Sequence, residues 1–183
     1  AGERSAMLFY VTTSRRGESD QLLSGLAARL AAEGLRIFGA VQRNIDRPGE
    51  ARCNMELCGV AAHGIWRISQ TLGPQSRGCR LDPAGLEDAA GAVAAAIEGG
   101  AEADLLIVNK FGKQEIDGRG FRPVIAAALM RGLPVLTAVN AKNLPAFLAF
   151  ADGLAEAAPP EPEALRLWLR ARLTACDGAR AAG

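Results

Sequence analysis

Three short polar segments carry the residue types that do chemistry on anions. The first is the run after Leu105–Val108, where Asn109, Lys110, Lys113, Glu115 and Arg119 follow four apolar residues almost directly. The second is Ser76-Arg77-Gly78-Cys79-Arg80, a glycine-containing loop with two guanidiniums running towards Asp82-Pro83. The third is Thr12-Thr-Ser-Arg-Arg-Gly-Glu-Ser-Asp-Gln21, which holds Arg15 and Arg16. Guanidiniums, ammoniums and exposed backbone N–H groups together suit a tetrahedral oxyanion such as phosphate, sulfate or molybdate. The alternative is an internal salt-bridge network, in which Asp82 and Glu115 offset the cations of otherwise ordinary loops.

The Thr12–Gln21 loop lies between an apolar run and a helical one, the setting of the phosphate-binding pattern GxxxxGK[ST]. In that pattern glycines let backbone N–H groups wrap a phosphate, lysine neutralises it and the hydroxyl holds magnesium. Here only Gly17 stands among the needed glycines, and Asp20 and Gln21 fall near the lysine and hydroxyl positions. Two readings stay open. The loop is a degenerate phosphate site using Arg15, Arg16 and the helix N-terminus, or a capped helix start with Ser19 or Asp20 as cap.

Cys53, Cys58, His63 and Cys79 invite a zinc reading, but their spacing lacks the paired ligands of structural zinc sites, so no metal site is expected. Cys79, between Gly78 and Arg80, is the cysteine whose thiol the local cations would acidify. Trp66 and Trp168 read as core or interface anchors.

The elements that must position these residues follow from periodicity. Met7–Thr12, Ile37–Gln42, Leu105–Val108 and Val135–Val139 are short apolar runs suited to strands buried on both faces of a parallel sheet. Leu22, Leu23, Leu26 and Leu30 recur at helical spacing up to Gly34, and Asp82-Pro83 starts an Ala-rich helix through Ile97. Cys53–Leu57 and Ile65–Ser69 predict an antiparallel hairpin. Phe121–Met130 and Leu144–Phe150 predict two more helices. Pro159-Pro160-Glu161-Pro162 is a rigid spacer before a terminal helix at about 160–175, with Gly178–Gly183 expected to fray. Loops leaving the carboxyl ends of such strands are where ligands bind in open α/β sheets.

Composition sets the outer bounds. The 183 residues, 49% of them apolar, predict one domain with its core at about 6–155. A net charge of +1 argues against a nucleic-acid partner held by bulk electrostatics. No apolar run reaches a membrane span, and the cysteine pattern predicts a reduced, cytoplasmic setting. Exposed apolar helix faces make an isologous homodimer the expected assembly.

Gly112, Lys113, Glu115 and Phe121 match the Walker B region of the small THEP-type nucleoside triphosphatases, which the stretch Asn109–Glu115 resembles. That family's acidic pair, which holds magnesium, is Asn109-Lys110 here. Over residues 7–155 the chain resembles more closely a bacterial family of unknown function, labelled NTPase-like or associated with molybdenum transport. The match runs through Cys53-Asn-Met-x-Leu57, Ile68-Ser-Gln-x-Leu-Gly73, Ser76–Asp82, Asn109–Glu115, Gly118-Arg-Gly-Phe-Arg122 and Pro134-Val-Leu-Thr137. The resemblance implies a P-loop NTPase-like three-layer α/β sandwich with a mainly parallel sheet and an inserted antiparallel hairpin. It implies a small anionic ligand, an oxyanion such as molybdate or tungstate or a nucleotide with magnesium. Binding without efficient hydrolysis is the expectation, and an NTPase-related enzyme with an altered phosphate loop is the alternative.

Overall fold

The structure, a computed structural model, describes residues 7–45, 54–60, 64–70 and 80–181. In chain order the elements are β1 (Leu8–Val11), α1 (Glu18–Ala32), β2 (Ile37–Ile45), β3 (Asn54–Gly59), β4 (Ile65–Arg67), β5 (Ser69–Gln70), β6 (Arg80–Leu81) and α2 (Pro83–Glu98). They continue with β7 (Leu105–Val108), α3 (Lys113–Ile116), α4 (Arg122–Met130), β8 (Val135–Ala138), α5 (Leu144–Ala151), β9 (Ala155–Ala157) and α6 (Pro162–Ala181).

Seven strands form one sheet in the order β4-β3-β2-β7-β8-β1-β9. The run from β2 to β9 is parallel throughout, and β3 and β4 extend it as antiparallel neighbours. β5 and β6 pair separately. Strand β7 sits at the centre, and its four side chains are fully buried. Because successive side chains alternate faces, Leu105 and Ile107 enter one core and Leu106 and Val108 the other. The first core lies under α1 and α6, with Leu22, Leu23, Leu26, Leu30, Leu165, Leu169 and Leu173. The second lies under α2, α4 and α5, with Leu86, Val93, Ile97, Val124, Ile125 and Phe147. The result is a three-layer, P-loop NTPase-like α/β sandwich.

Several boundaries differ from the sequence expectation, each for a tertiary reason. β2 continues past Gln42 to Ile45 because β3 pairs with it up to Ile45↔Asn54. Ala155–Ala157 lacks β-branched residues but forms a strand, since it lies along β1 in the register Leu8↔Ala155. α6 runs on through Gly178 to Ala181, where fraying is predicted. Its body is tied to α1 by Glu33, which accepts hydrogen bonds from Arg166 (3.0 Å) and Arg170 (2.6 Å). Ion pairs this exposed add little to stability; the leucines beneath them hold the layer.

The parallel pairing of β2 with β7 demands one unusual backbone. Gly39 has φ +116°, and a Cβ there would fall 1.8 Å from the carbonyl oxygen of Ile107. Both the conformation and the contact exclude a side chain. Gly39→Ala is therefore expected to cost about 3 kcal/mol or more, read as a lowered midpoint in urea unfolding; an unchanged midpoint would contradict this account.

Candidate functional site

The five parallel strands point their carboxyl ends at one edge of the sheet, and segments leaving four of them (β1, β2, β7 and β8) border a cleft of about 770 Å³. The loop after β1 contributes Arg16 and Gly17, and α1 contributes Asp20. The end of β2 contributes Gln42 and Asn44, and the loop after β7 contributes Asn109, Lys110, Gly112 and Lys113. Asn140 and Asn143 follow β8. The opposite wall is apolar: Met55 and Leu57 of β3, Ile68, Leu81, Leu86 and Phe121.

Asn109 is the knot of this edge. The ladder of β2 with β7 stops at Ala40↔Val108. One step further, the backbone N–H of Gln42 donates to Asn109 Oδ1 at 2.8 Å, so a side chain takes over where the strand has ended. From its other side Asn109 Nδ2 donates to Asp20 Oδ1 at 3.0 Å. Only this orientation of the amide meets a donor with an acceptor on both sides. Asn109 and Asp20 are each 5% exposed. The ammonium of Lys110 lies 4.0 Å from the same Asp20 oxygen while its side chain is 42% exposed to the cleft.

The start of α1 shifts the phosphate-loop comparison. Gly17, with φ +78°, caps the helix through backbone alone, so Ser19 and Asp20 lie inside the first turn and neither is the cap. With Gly17 as the glycine before the helix, Glu18 takes the lysine position of GxxxxGK[ST] and Ser19 the hydroxyl position. That is two residues earlier than the sequence reading placed them. The Glu18 carboxylate accepts from the backbone N–H of Arg15 at 3.1 Å, folding the loop back on the helix.

Glu115 organises the loop beyond β7. Its Oε2 accepts from Gly112 N–H at 2.9 Å and its Oε1 from Phe121 N–H at 3.1 Å, with the residue 3% exposed. These bonds create α3, a single turn the sequence reading did not include, and commit both carboxylate oxygens to backbone. Burial raises the Glu115 carboxyl above the usual glutamate range despite those bonds.

The remaining candidates divide. Arg15 and Arg16 are exposed, and both line a shallower cleft of about 570 Å³ beside the start of α1, which Arg16 shares with the main one. Arg119 is exposed and lies outside both linings. Ser76, Arg77, Gly78 and Cys79 lie outside the described residues, as do Cys53 and His63. Arg80 is described only as the first residue of β6. Among the described residues, no group of three or more His, Cys, Asp or Glu could hold a metal ion, and no helix is long and apolar enough to cross a membrane. Sequence reasoning missed the amides Gln42, Asn44, Gln114, Asn140 and Asn143 as lining residues; Asn140 and Asn143, directly beyond β8, were the pair that strand position pointed to.

Two substitutions test this geometry. Asn109→Asp keeps the acceptor for Gln42 but sets a second carboxylate against Asp20. It is expected to cost roughly 2–4 kcal/mol at neutral pH, with part of the loss recovered on acidification as one carboxyl takes up a proton. A deficit that ignores pH would refute the assigned contact. Glu115 has a folded pKa above its unfolded value, so its contribution is fullest below the ordinary glutamate range and declines as pH rises through the raised value. Glu115→Gln should abolish that slope and cost roughly 1–3 kcal/mol, because the new NH₂ opposes a backbone N–H. Unfolding curves at several pH values report both effects.

A segment of "Molybdenum import ATP-binding protein ModC 2" of Bradyrhizobium diazoefficiens (strain JCM 10833 / BCRC 13528 / IAM 13628 / NBRC 14792 / USDA 110) is 40% identical to this chain over 151 residues. The match takes in 82% of this chain but only 17% of that protein's length. No solved structure gives a significant match. The family model described as "Protein of unknown function (DUF2478)" matches residues 8–168, and the chain belongs to that family.

Proposed function

We propose that this protein binds a small ligand carrying an oxyanion at the carboxyl edge of its sheet, and that it does not hydrolyse nucleoside triphosphates efficiently. The observation that carries the reading is an exchange of charge between α1 and the end of β7. Glu18 stands where a phosphate loop needs a cation, with the buried Asp20 in the same first turn, and Asn109-Lys110 stand where magnesium needs carboxylates. A divalent ion does not fit this donor set, because the ammonium of Lys110 lies 4.0 Å from the nearest carboxylate oxygen. The cations Arg16, Lys110 and Lys113 are turned to a different use around the cleft.

The name of the relative, a molybdenum import protein, supports molybdate or tungstate as the first anions to test. The likeness of Asn109–Phe121 to the THEP-type Walker B region supports an NTPase-derived scaffold whose metal site has been replaced. A cytoplasmic protein meeting its ligand in free solution is the setting that fits this reading.

Thermal-shift measurements against phosphate, molybdate, tungstate, ATP and GTP, with and without magnesium, test it. An oxyanion is expected to raise the melting temperature without help from magnesium. Lys110→Ala or Lys113→Ala is expected to weaken that binding by roughly 1.5–3 kcal/mol, the range for a charged hydrogen bond. Magnesium-dependent turnover on the order of 1 per second would overturn the reading.

A further inference from the structure

We propose that the outer face of α4 and α5 docks a second copy of this chain, with the two α5 helices packed antiparallel across a two-fold axis. The inference is independent of what the cleft binds, because none of the residues that form this face lines it.

The sequence of these two helices runs against the usual division. A helix lying on a sheet buries one apolar stripe and turns charged or polar residues to water. The other long helices do so: Gln21 and Arg29 of α1, Glu87 and Asp88 of α2, and Arg170 and Asp177 of α6 are exposed. α5, Leu144-Pro-Ala-Phe-Leu-Ala-Phe-Ala151, has no polar residue on any side. Phe147 and Ala151 enter the core, while Pro145, Leu148 and Ala149, at i, i+3 and i+4, face outwards.

α4 lies beside α5, with its Arg122 guanidinium over the Phe150 ring. The exposed residues of α4 are Pro123, Ala127 and Met130, at i, i+4 and i+7. Met130 is 89% exposed, Leu148 42%, and Leu154, just past α5, 52%. A single exposed leucine needs no explanation. Two adjacent helix faces that carry no polar residue mark an interaction site.

Charge indicates what covers the face. Lys142 stands just ahead of the Asn143 cap of α5, and Asp152 is the residue that ends the helix. Both are exposed, and neither side chain has a hydrogen-bond or ion-pair partner among the described residues. Each has the wrong sign for its own helix, since a helix N-terminus favours anions and a C-terminus favours cations. An antiparallel copy of α5 corrects both ends at once. Lys142 of each chain then meets Asp152 of the other, and each charge lies at the end of the neighbouring helix that favours it. The two-fold axis passes near Leu148, which packs against its own copy, and the small Ala149 lets the helices approach. A patch whose charges are matched by itself in reverse is the pattern of an isologous contact.

Sedimentation velocity of the full chain over a concentration series tests the proposal. A reversible dimer is expected. Leu148→Asp should raise its dissociation constant by about tenfold or more and leave the circular dichroism unchanged. Leu167→Asp, at the exposed leucine of α6, should leave the dimer intact. Lys142→Gln and Asp152→Asn should each weaken the dimer several-fold, and together no more than either alone, because both break the same pair. Asparagine keeps the left-handed backbone of residue 152, φ 45°, accessible. If Leu148→Asp disturbs the fold, this cycle decides alone. A dimer that ignores Leu148→Asp, or charge variants whose losses add in full, would overturn the proposal. So would a monomer at every concentration, which would leave the face to a different protein.

Discussion

The carboxyl edge of the sheet depends on one side-chain amide. A parallel strand that ends leaves the next N–H of its neighbour without an acceptor, and water fills that role poorly inside a closed layer. Asn109 Oδ1 meets the Gln42 N–H, and Nδ2 of the same amide meets Asp20 on α1. One planar group thus joins β2, β7 and α1, three elements far apart in the chain. An aspartate would match Gln42 but repel Asp20; a leucine would serve neither. The identity at 109 is therefore tied to the identity at 20. The amide after β7 and the carboxylate within α1 form a single feature seen from two loops.

That coupling explains why the usual equipment of a phosphate loop does not reappear piecemeal. A buried carboxylate in the first turn already takes the favourable field of the helix N-terminus, and Lys110 lies 4.0 Å from its Oδ1. Restoring one acidic residue after β7 would add negative charge beside Asp20 before it gained a metal. The local energetics hold the site in its present charge arrangement. The cations it leaves exposed, Lys110 and Lys113, line the cleft.

How far this was legible from sequence follows from where the signals are local. Four apolar strands, the helix face of Leu22, Leu23, Leu26 and Leu30, and the Asp82-Pro83 helix start were all readable, because each rests on spacing or on a cap that a few neighbouring residues define. Asp82 indeed accepts from Ala84 N–H at 3.1 Å. β9 was not readable, since Ala155-Glu-Ala157 has no strand preference of its own and takes the shape of β1 beside it. The site shows the same division. Lys110 and Lys113 were found by their place after a buried strand, whereas the amides Gln42, Asn44 and Gln114 belong to the cleft only through the pairing of β2 with β3 and the single turn of α3. The phosphate-loop register failed by two residues because Gly17, and not a side-chain cap, begins α1.

The single turn α3 also bears on whether the cleft exists before any ligand arrives. A loop of this length between β7 and α4 could take many shapes, and ordering it on binding would cost affinity. Here Glu115 spans it, holding Gly112 at one end and Phe121 at the other. Arg122 closes the turn by donating to the carbonyls of Glu115 and Ile116 at 3.3 and 3.2 Å, and its guanidinium packs 4.9 Å over the Phe150 ring. At Gly120 a Cβ would meet Glu115 Oε1 at 2.3 Å, so the chain passes too close for any other residue. The carboxylate is buried at an energetic cost that raises its pKa, and what that cost secures is a fixed position for Lys113, the first residue of the turn. A rigid loop carrying an exposed ammonium is what a preformed anion site requires.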